Sequence, residues 1–412
     1  MIKSIALTLT AAAMILSSCD SQGTGAVTLP EATCEKPSEL VLGALSPTTH
    51  KHPEQVTGKD TVLAGTEWAA ADSVRAFFGS REVKLVFVLN NNMFLLTYAG
   101  DQPVVTRLSQ GDEGLYGTAG SINSPLFSPD GKKIVFAGTT RGKPGFIQDA
   151  VPGGAKTWRV PLDPHGHVTA DPHWYVEGGK TYVYFATLAG LLNYSDGCSQ
   201  IPGYTYRVEV LSDTVVDSIR VSGIPGAYRG GISRDGLWAG TSYASTALFD
   251  KVADNTYLLA GGAQQCNPSM NPYPIGSTHS DYMMILAFGG RPAYKIIDNT
   301  EIVEGLHENL WIYNRQNRIV WRAKRPDLDT ANDANDKNSV YLHFDKPEWS
   351  TDPNFATAVV LRKETEVGDL FVVKIGDLAN AEEGKLNQAQ GYLRIGKGGF
   401  TADSFTHLWV AP

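Results

Sequence analysis

The chain has 412 residues, with 35 Lys and Arg against 43 Asp and Glu and a formal net charge of −8. It has no run of Lys or Arg long enough to follow a phosphate backbone, which sets nucleic acid aside as a partner. Four cysteines without a Cys-x-x-Cys pair give no zinc knuckle and no redox dithiol, and 42 Gly and 22 Pro spread along the length mark a chain of many turns.

Lys3 followed by the apolar run from Ile5 to Leu16 reads as a secretory signal, too short to remain as a membrane span. The run ends in Leu16-Ser17-Ser18-Cys19, which resembles the bacterial lipobox. That resemblance implies removal of residues 1–18 and acylation of Cys19. The protein would then be tethered to a lipid bilayer in the bacterial cell envelope, its globular part outside the cytoplasm. Asp20 leaves the choice of membrane open. Residues 19–60 are rich in Pro, Thr and Ser without an apolar period and read as a flexible tether ahead of one domain over 61–412. His50 and His52, on this segment, read as solvated. Beyond Cys19, the thiols Cys34, Cys198 and Cys266 allow one bridge. Cys198 and Cys266, both in Gly/Asn/Ser-rich stretches, are the first pairing and Cys34 the competitor.

Helical periodicity is nearly absent. Only Glu67 to Phe78, with Thr66 at its N-cap, reads as a short helix. Val83 to Leu89, then Asn90-Asn91-Asn92, then Met93 to Tyr98 reads as a hairpin. Next comes Ser124-Pro-Leu-Phe-Ser-Pro-Asp-Gly-Lys-Lys-Ile-Val-Phe-Ala137: a short strand, a Pro-Asp-Gly turn and a second strand of β-branched and aromatic residues. Gly145 to Asp149 and Thr157 to Pro161 continue it. Weaker copies follow. They begin at Asp171-Pro-His-Trp174, at Gly230-Gly-Ile-Ser-Arg-Asp-Gly236, at Asn267-Pro-Ser-Met270 and at Pro347-Glu-Trp-Ser-Thr-Asp-Pro353. Counting the opening hairpin, six units recur at a spacing of several dozen residues, which is the pattern of a radial array. A small sheet with apolar residues on both faces must stack on neighbours to leave water, and closing the ring removes free edges.

Ser128-Pro-Asp-Gly-Lys-Lys-Ile-Val-Phe136 resembles the repeat of TolB-type β-propellers. The resemblance implies an all-β, six-bladed propeller whose inner strands line a central channel; a seven-bladed ring or a pair of β-sandwiches is the alternative. It is nearly silent on function, because propellers host hydrolases, lyases, receptors and scaffolds alike.

Candidate chemistry gathers at the expected channel end. His165, His167 and His173 lie near the entry of the third unit, with Trp174 beside them; His279 and His307 precede strands of later units. His173, His279 and His307, converging from different units, would make a divalent-metal set. In this the chain loosely resembles the metal-dependent oligogalacturonate lyases. No other cofactor is indicated. Asp327 to Asn338 is rich in oxygen ligands but fails the EF-hand pattern at Asn332 and Asn338. No Gly-x-Ser-x-Gly elbow occurs for a serine nucleophile. Trp174, Tyr228, Trp238, Tyr273 and Trp349 are either sugar-stacking faces or filling between sheets. The expected role is that of a monomeric binding or scaffold module for an envelope protein or glycan. The alternative is a polysaccharide lyase or glycoside hydrolase working through the channel histidines.

Overall fold

In a computed structural model of the chain, the described residues are 47–49, 54–56, 63, 65–110, 122–138, 145–150, 156–160, 169–187, 205–211, 216–221, 229–233, 236–243, 245–250, 255–258, 265–272, 282–287, 294–295, 301–302, 308–314, 319–326, 340–363, 365, 367–376, 378 and 387–412. They fold as a β-propeller of sheets numbered around the axis, the strands of each given from the channel outwards. Sheet I holds β30 (Thr406–Val410), β4 (Val83–Leu89), β5 (Asn92–Ala99), β6 (Gln102–Gln110) and β2 (Glu54–Val56). Sheet II holds β7 (Ile122–Phe127), β8 (Lys133–Gly138), β9 (Gly145–Asp149), β10 (Lys156–Val160) and β1 (Pro47–Thr49). Sheet III holds β11 (Thr169–Glu177), β12 (Lys180–Thr187), β13 (Thr205–Val210) and β14 (Val216–Val221). Sheet IV holds β15 (Arg229–Ile232), β16 (Trp238–Tyr243), β17 (Ser245–Asp250) and β18 (Asn255–Leu258). Sheet V holds β19 (Gln265–Met270), β20 (Tyr282–Ala287), β23 (Asn309–Asn314), β24 (Ile319–Lys324) and β28 (Asn387–Gln388). Sheet VI holds β25 (Tyr341–Trp349), β26 (Phe355–Arg362), β27 (Gly368–Lys374), β29 (Gly391–Phe400) and β3 (Glu67–Trp68). A two-strand ribbon, β21 (Tyr294–Lys295) with β22 (Glu301–Ile302), is inserted between β20 and β23.

Each unit expected from the sequence lies in its own sheet, and each inner strand contacts the next around the axis. The apolar cores lie between sheets rather than inside one. On β4, Leu85, Phe87 and Leu89 pack toward Val359, Leu370 and Val372 of sheet VI. The alternate residues Val86 and Val88 pack toward Phe127, Ile134 and Phe136 of sheet II. That period of two is why the strands read as continuous apolar runs: both faces are covered. At about 1.5–3 kcal/mol per buried large side chain, this stacking is the main favourable term.

The Ser128–Gly131 turn is built by its own residues. Ser128 Oγ donates to Asp130 Oδ1 at 2.6 Å, and the Lys133 amide donates to Ser128 Oγ at 2.9 Å. Asp130 is therefore a turn residue. Gly131 has φ +69°, and a Cβ there would lie 2.5 Å from the Trp409 ring of sheet I. Trp409 Nε1 in turn donates to Pro129 O at 3.1 Å. The same device recurs between sheets III and IV: Gly236 has φ +71°, and its missing Cβ makes room for Tyr175 of sheet III. The turn glycine thus serves the neighbouring sheet as much as the hairpin.

Two expectations change. Glu67–Trp68 is not helical but pairs with β29, and the Thr66 hydroxyl donates to Gly398 O instead of capping a helix. Among the described residues only α1 (Ala71–Phe78) is helical, with Ala70 at its start and no side-chain cap. Trp68 packs against Phe87 and Phe400, and that burial outweighs local helix propensity. The stretch expected as a tether contributes β1 and β2, which cover the outer edges of sheets II and I. Among the described residues, no helix is long and apolar enough to cross a membrane.

Candidate functional site

Five inner strands carry the same irregularity. The register with the second strand slips across Ser124-Pro125 in β7, Asp171-Pro172 in β11, Gly230-Gly231 in β15, Asn267-Pro268 in β19 and Lys346-Pro347 in β25. Each is a bulge, and four hold Pro second, where the missing N–H is not needed by the ladder. Ser124 and Lys346 take φ +46° and +42°, conformations uncommon for residues other than Gly. The sixth inner strand, β30, pairs with β4 without a slip.

The first residue paired after each bulge is Leu126, His173, Ile232, Ser269 and Glu348. His173 therefore occupies in sheet III the place that Leu126 occupies in sheet II. With His407 of β30, these residues form a belt around the channel. Ser269 Oγ donates to Glu348 Oε1 at 2.6 Å, and accepts the Trp349 amide at 2.9 Å. His407 Nδ1 likewise accepts the Phe127 amide at 3.0 Å. In both cases a belt side chain satisfies a backbone donor on the next sheet, stitching neighbours together at the axis.

His407 is buried. Burial pushes its pKa down to about 3, the nearby His173 pushes the same way, and a bond to the Trp349 backbone opposes them. It is a neutral imidazole with its proton on Nε2, because Nδ1 accepts. The His173 ring lies over Gly231, where a Cβ would sit 2.8 Å from its Cε1. Any side chain at 231 would displace it.

On the side where the inner strands begin, Asn123, Ser124, Lys346, Glu348, His173 and Thr406 line a cavity of about 50 Å³, walled by Pro125, Pro268, Pro347 and Phe405. A second cavity of about 60 Å³ continues along the axis, sharing Leu126, His173 and Glu348 and reaching Trp349 and His407. Such volumes suit a few waters or one small polar group, so the described part of the axis is a shallow mouth lined by both polar and apolar groups. Lys346 Nζ lies 3.7 Å from Asp345 Oδ1 and 5.2 Å from the centre of the Phe405 ring, so cation and carboxylates meet at the rim.

Of the residues singled out from sequence, His173 lines both cavities and Trp174 lines the second. His165, His167, His279 and His307 lie outside the described residues, as do Cys19, Cys34, Cys198, Tyr228, Tyr273 and the Asp327–Asn338 stretch. Cys266 lies in β19. Among the described residues, no group of three or more His, Cys, Asp or Glu is placed to hold a metal. Trp174 is 8% exposed and its Nε1 donates to Leu126 O at 2.8 Å, so it fills the wall between sheets II and III; Trp238 and Trp349 are buried too. Those three side chains are packing, not platforms for a sugar.

Lys346, Glu348, Ser269, Thr406 and His407 were not singled out. The x-Pro dipeptide that recurs in four of the five bulged strands was a usable signal for the first three. A second polar cluster, in sheet VI, is structural. Burial of Asp369 would raise its pKa, but bonds from Tyr341, Arg362 and the Gly398 amide outweigh that and hold it below the usual carboxylate value.

No family model matches the chain, and no curated protein matches it. Among solved structures, it is similar to the C-terminal WD40 domain of Sif2, at 10% identity over 91% of this chain and 90% of that one, with a TM-score of 0.38. The β-propeller domain of Cps50 (Swd1) from Myceliophteria thermophila matches at 11% identity over 74% and 83%, with a TM-score of 0.35. Hydrazine synthase of Kuenenia stuttgartiensis matches at 10% identity and a TM-score of 0.30; 61% of this chain is covered, and the match spans 62% of that one. No activity is carried over from them; the propeller assignment rests on the strand order.

Proposed function

We propose that this protein is a TolB-like propeller lipoprotein, held at a bacterial membrane through acylated Cys19, that binds an envelope protein or glycan at the channel mouth. The observation that carries the reading is the belt. Five inner strands repeat one bulge, yet the residue each presents next is Leu126, His173, Ile232, Ser269 or Glu348. The scaffold repeats while the chemistry at the axis does not, which is how one fold is made to recognise a particular ligand. The rim offers donors from Lys346 and Asn123, acceptors from Glu348, and apolar walls of Pro and Phe. The packed tryptophans favour recognition through these polar groups over stacking on an indole. The lyase or hydrolase alternative would rest on His279 and His307, which are not among the described residues.

Binding of the purified protein to peptidoglycan fragments, pectin and hemicellulose oligosaccharides, and immobilised envelope proteins tests the reading. Lys346→Ala is expected to weaken the interaction at least tenfold, with unchanged thermal stability. A ligand bound equally well by wild type and Lys346→Ala would place recognition elsewhere. Membrane fractionation of Cys19→Ser, expected to release the protein, tests the anchor separately.

A further inference from the structure

Among the described residues, three sets of contacts cross the seam between sheets VI and I. At the axis, Thr406 Oγ1 of β30 donates to Thr357 Oγ1 of β26 at 3.1 Å, and that hydroxyl donates to Thr406 O at 3.3 Å. Where the inner strands end, the Thr351 amide donates to Leu408 O and the Val410 amide to Thr351 Oγ1, both at 3.0 Å. The third set is the segment 65–82, which begins on sheet VI and runs into β4 of sheet I. Its Glu67 holds Lys397 Nζ at 2.7 Å, its Ala69 amide donates to Ile395 O at 3.0 Å, and its Arg81 pairs with Asp352. Trp68 is wedged between the sheets, its ring centre 5.2 Å from that of Phe87 on sheet I and 6.1 Å from that of Phe400 on sheet VI. Ala71, Val74 and Phe78, spaced three and four apart, turn one apolar stripe of α1 inward, and Phe78 meets Phe355 at 4.8 Å.

The channel mouth is built across the same seam. Lys346, Pro347 and Glu348 line it from sheet VI, and Phe405 and Thr406 line it from sheet I. Lys346 Nζ, 5.2 Å from the centre of the Phe405 ring, reaches from one side to the other. Thr406 both faces the cavity and bonds Thr357. Hydrogen bonds of this length are lost when the partners part by about 1 Å, so the walls of the mouth keep their spacing only while the seam is tight. Packed interfaces of this kind shift between discrete arrangements rather than stretch continuously.

We propose that residues 65–82 act as a clamp on this seam, and that Trp68 is the positioning residue through which the clamp sets the width of the channel mouth. With the clamp seated, Lys346 is held against Phe405 and the mouth is narrow. With it released, sheets VI and I part and the mouth opens, while sheets III and IV keep their packing. A ligand that spans Lys346 and Thr406 favours the seated clamp, and by linkage the seated clamp favours that ligand equally. The clamp concerns the shape of the mouth and holds whichever ligand is bound there.

Two readouts on the whole chain test the clamp. Acylation of Lys346 by acetic anhydride, referenced to the exposed Lys180 of sheet III, reports the mouth. Hydrogen–deuterium exchange of peptides carrying the Thr351 and Val410 amides reports the seam. Trp68→Ala is expected to raise both about tenfold, with peptides covering 173–184 of sheet III unchanged. Trp68→Phe, which keeps an aromatic wedge, should restore wild-type values. The Thr357 and Thr406 hydroxyls are already 3.1 Å apart, so a disulfide in Thr357→Cys/Thr406→Cys should lock the seam and cancel the effect of Trp68→Ala until it is reduced. Unchanged Lys346 acylation in Trp68→Ala, with faster exchange over 65–78, overturns the proposal, because the clamp would then leave without moving the mouth. Equal acceleration in sheet III overturns it too, by making Trp68 a matter of global stability. If Trp68→Ala does not fold, Ala69→Pro, which removes the amide bonded to Ile395 O and keeps Trp68, is read in the same way. Neither readout needs a ligand, so failure of the clamp and failure of the binding reading are separate results.

Discussion

His407 shows how a single side chain at the axis ties three sheets together. It sits on β30 of sheet I, accepts the Phe127 amide of sheet II, and bonds the Trp349 backbone of sheet VI. A protonated ring could not accept, and burial opposes the charge, so the folded state holds the ring neutral down to about pH 3. An unfolded histidine takes up its proton near pH 6.5. The contribution is therefore fully present above about 6.5 and is lost as the pH falls toward about 3, by at most about 1.4 kcal/mol per pH unit. His407→Gln keeps a hydrogen-bonding side chain but cannot titrate. Urea unfolding at pH 7, 5.5 and 4.5 should show wild type losing its advantage over His407→Gln as the pH drops; parallel pH profiles would sink the assignment. Gly131 offers a second test at this scale. Gly131→Ala meets both a φ of +69° and the Trp409 ring, whereas Gly100→Ala meets a φ of +64° with open space around it. The first should cost about 2–4 kcal/mol and the second about 1 kcal/mol. Equal losses in urea midpoints would mean that the Trp409 contact adds nothing.

At the scale of elements, most of the strands were legible because their apolar runs are covered on both faces and their turns use ordinary turn chemistry. Asn90 and Asn91 take φ +48° and +60°, and Gly178 and Gly179 take +58° and +77°, as tight hairpins of this kind require. The helix boundary was not legible, because Trp68 is decided by a partner more than 300 residues away on β29. The edge strands β1 and β2 were not legible either. Three residues without an apolar period gain their stability from a strand that local pattern does not reveal. At the site the same division holds. His173 stood out because it breaks a repeat, and the structure sets it in the channel. Glu348 and Ser269 did not stand out, because each is placed by the bulge just before it, and a bulge is defined by register with a second strand rather than by composition. A metal set was proposed across units whose relative register no sequence spacing can supply.

At the scale of the whole molecule, the ring is closed by its last residues. β30 is the innermost strand of sheet I, although β4, β5 and β6 of that sheet come from the beginning of the domain. Closure therefore joins the first and last strands of the ring through five backbone pairs, Thr406 with Phe87 to Val410 with Val83. Leu408, Trp409 and Val410 are buried, and Trp409 also reaches the turn of sheet II at Gly131 and Pro129. Three such side chains at about 1.5–3 kcal/mol each amount to roughly 5–9 kcal/mol, the size of the net stability of a typical domain. Removing residues 405–412 also strips the inner edge of β4 and opens the gap between sheets VI and II, where His407 bridges Phe127 and Trp349. The truncated chain is expected to lose cooperative unfolding and to bind a hydrophobic dye, while a peptide of residues 404–412 added in trans should restore a single sharp transition. A truncated chain that unfolds cooperatively near the wild-type midpoint would show that the ring does not depend on this strand for its closure.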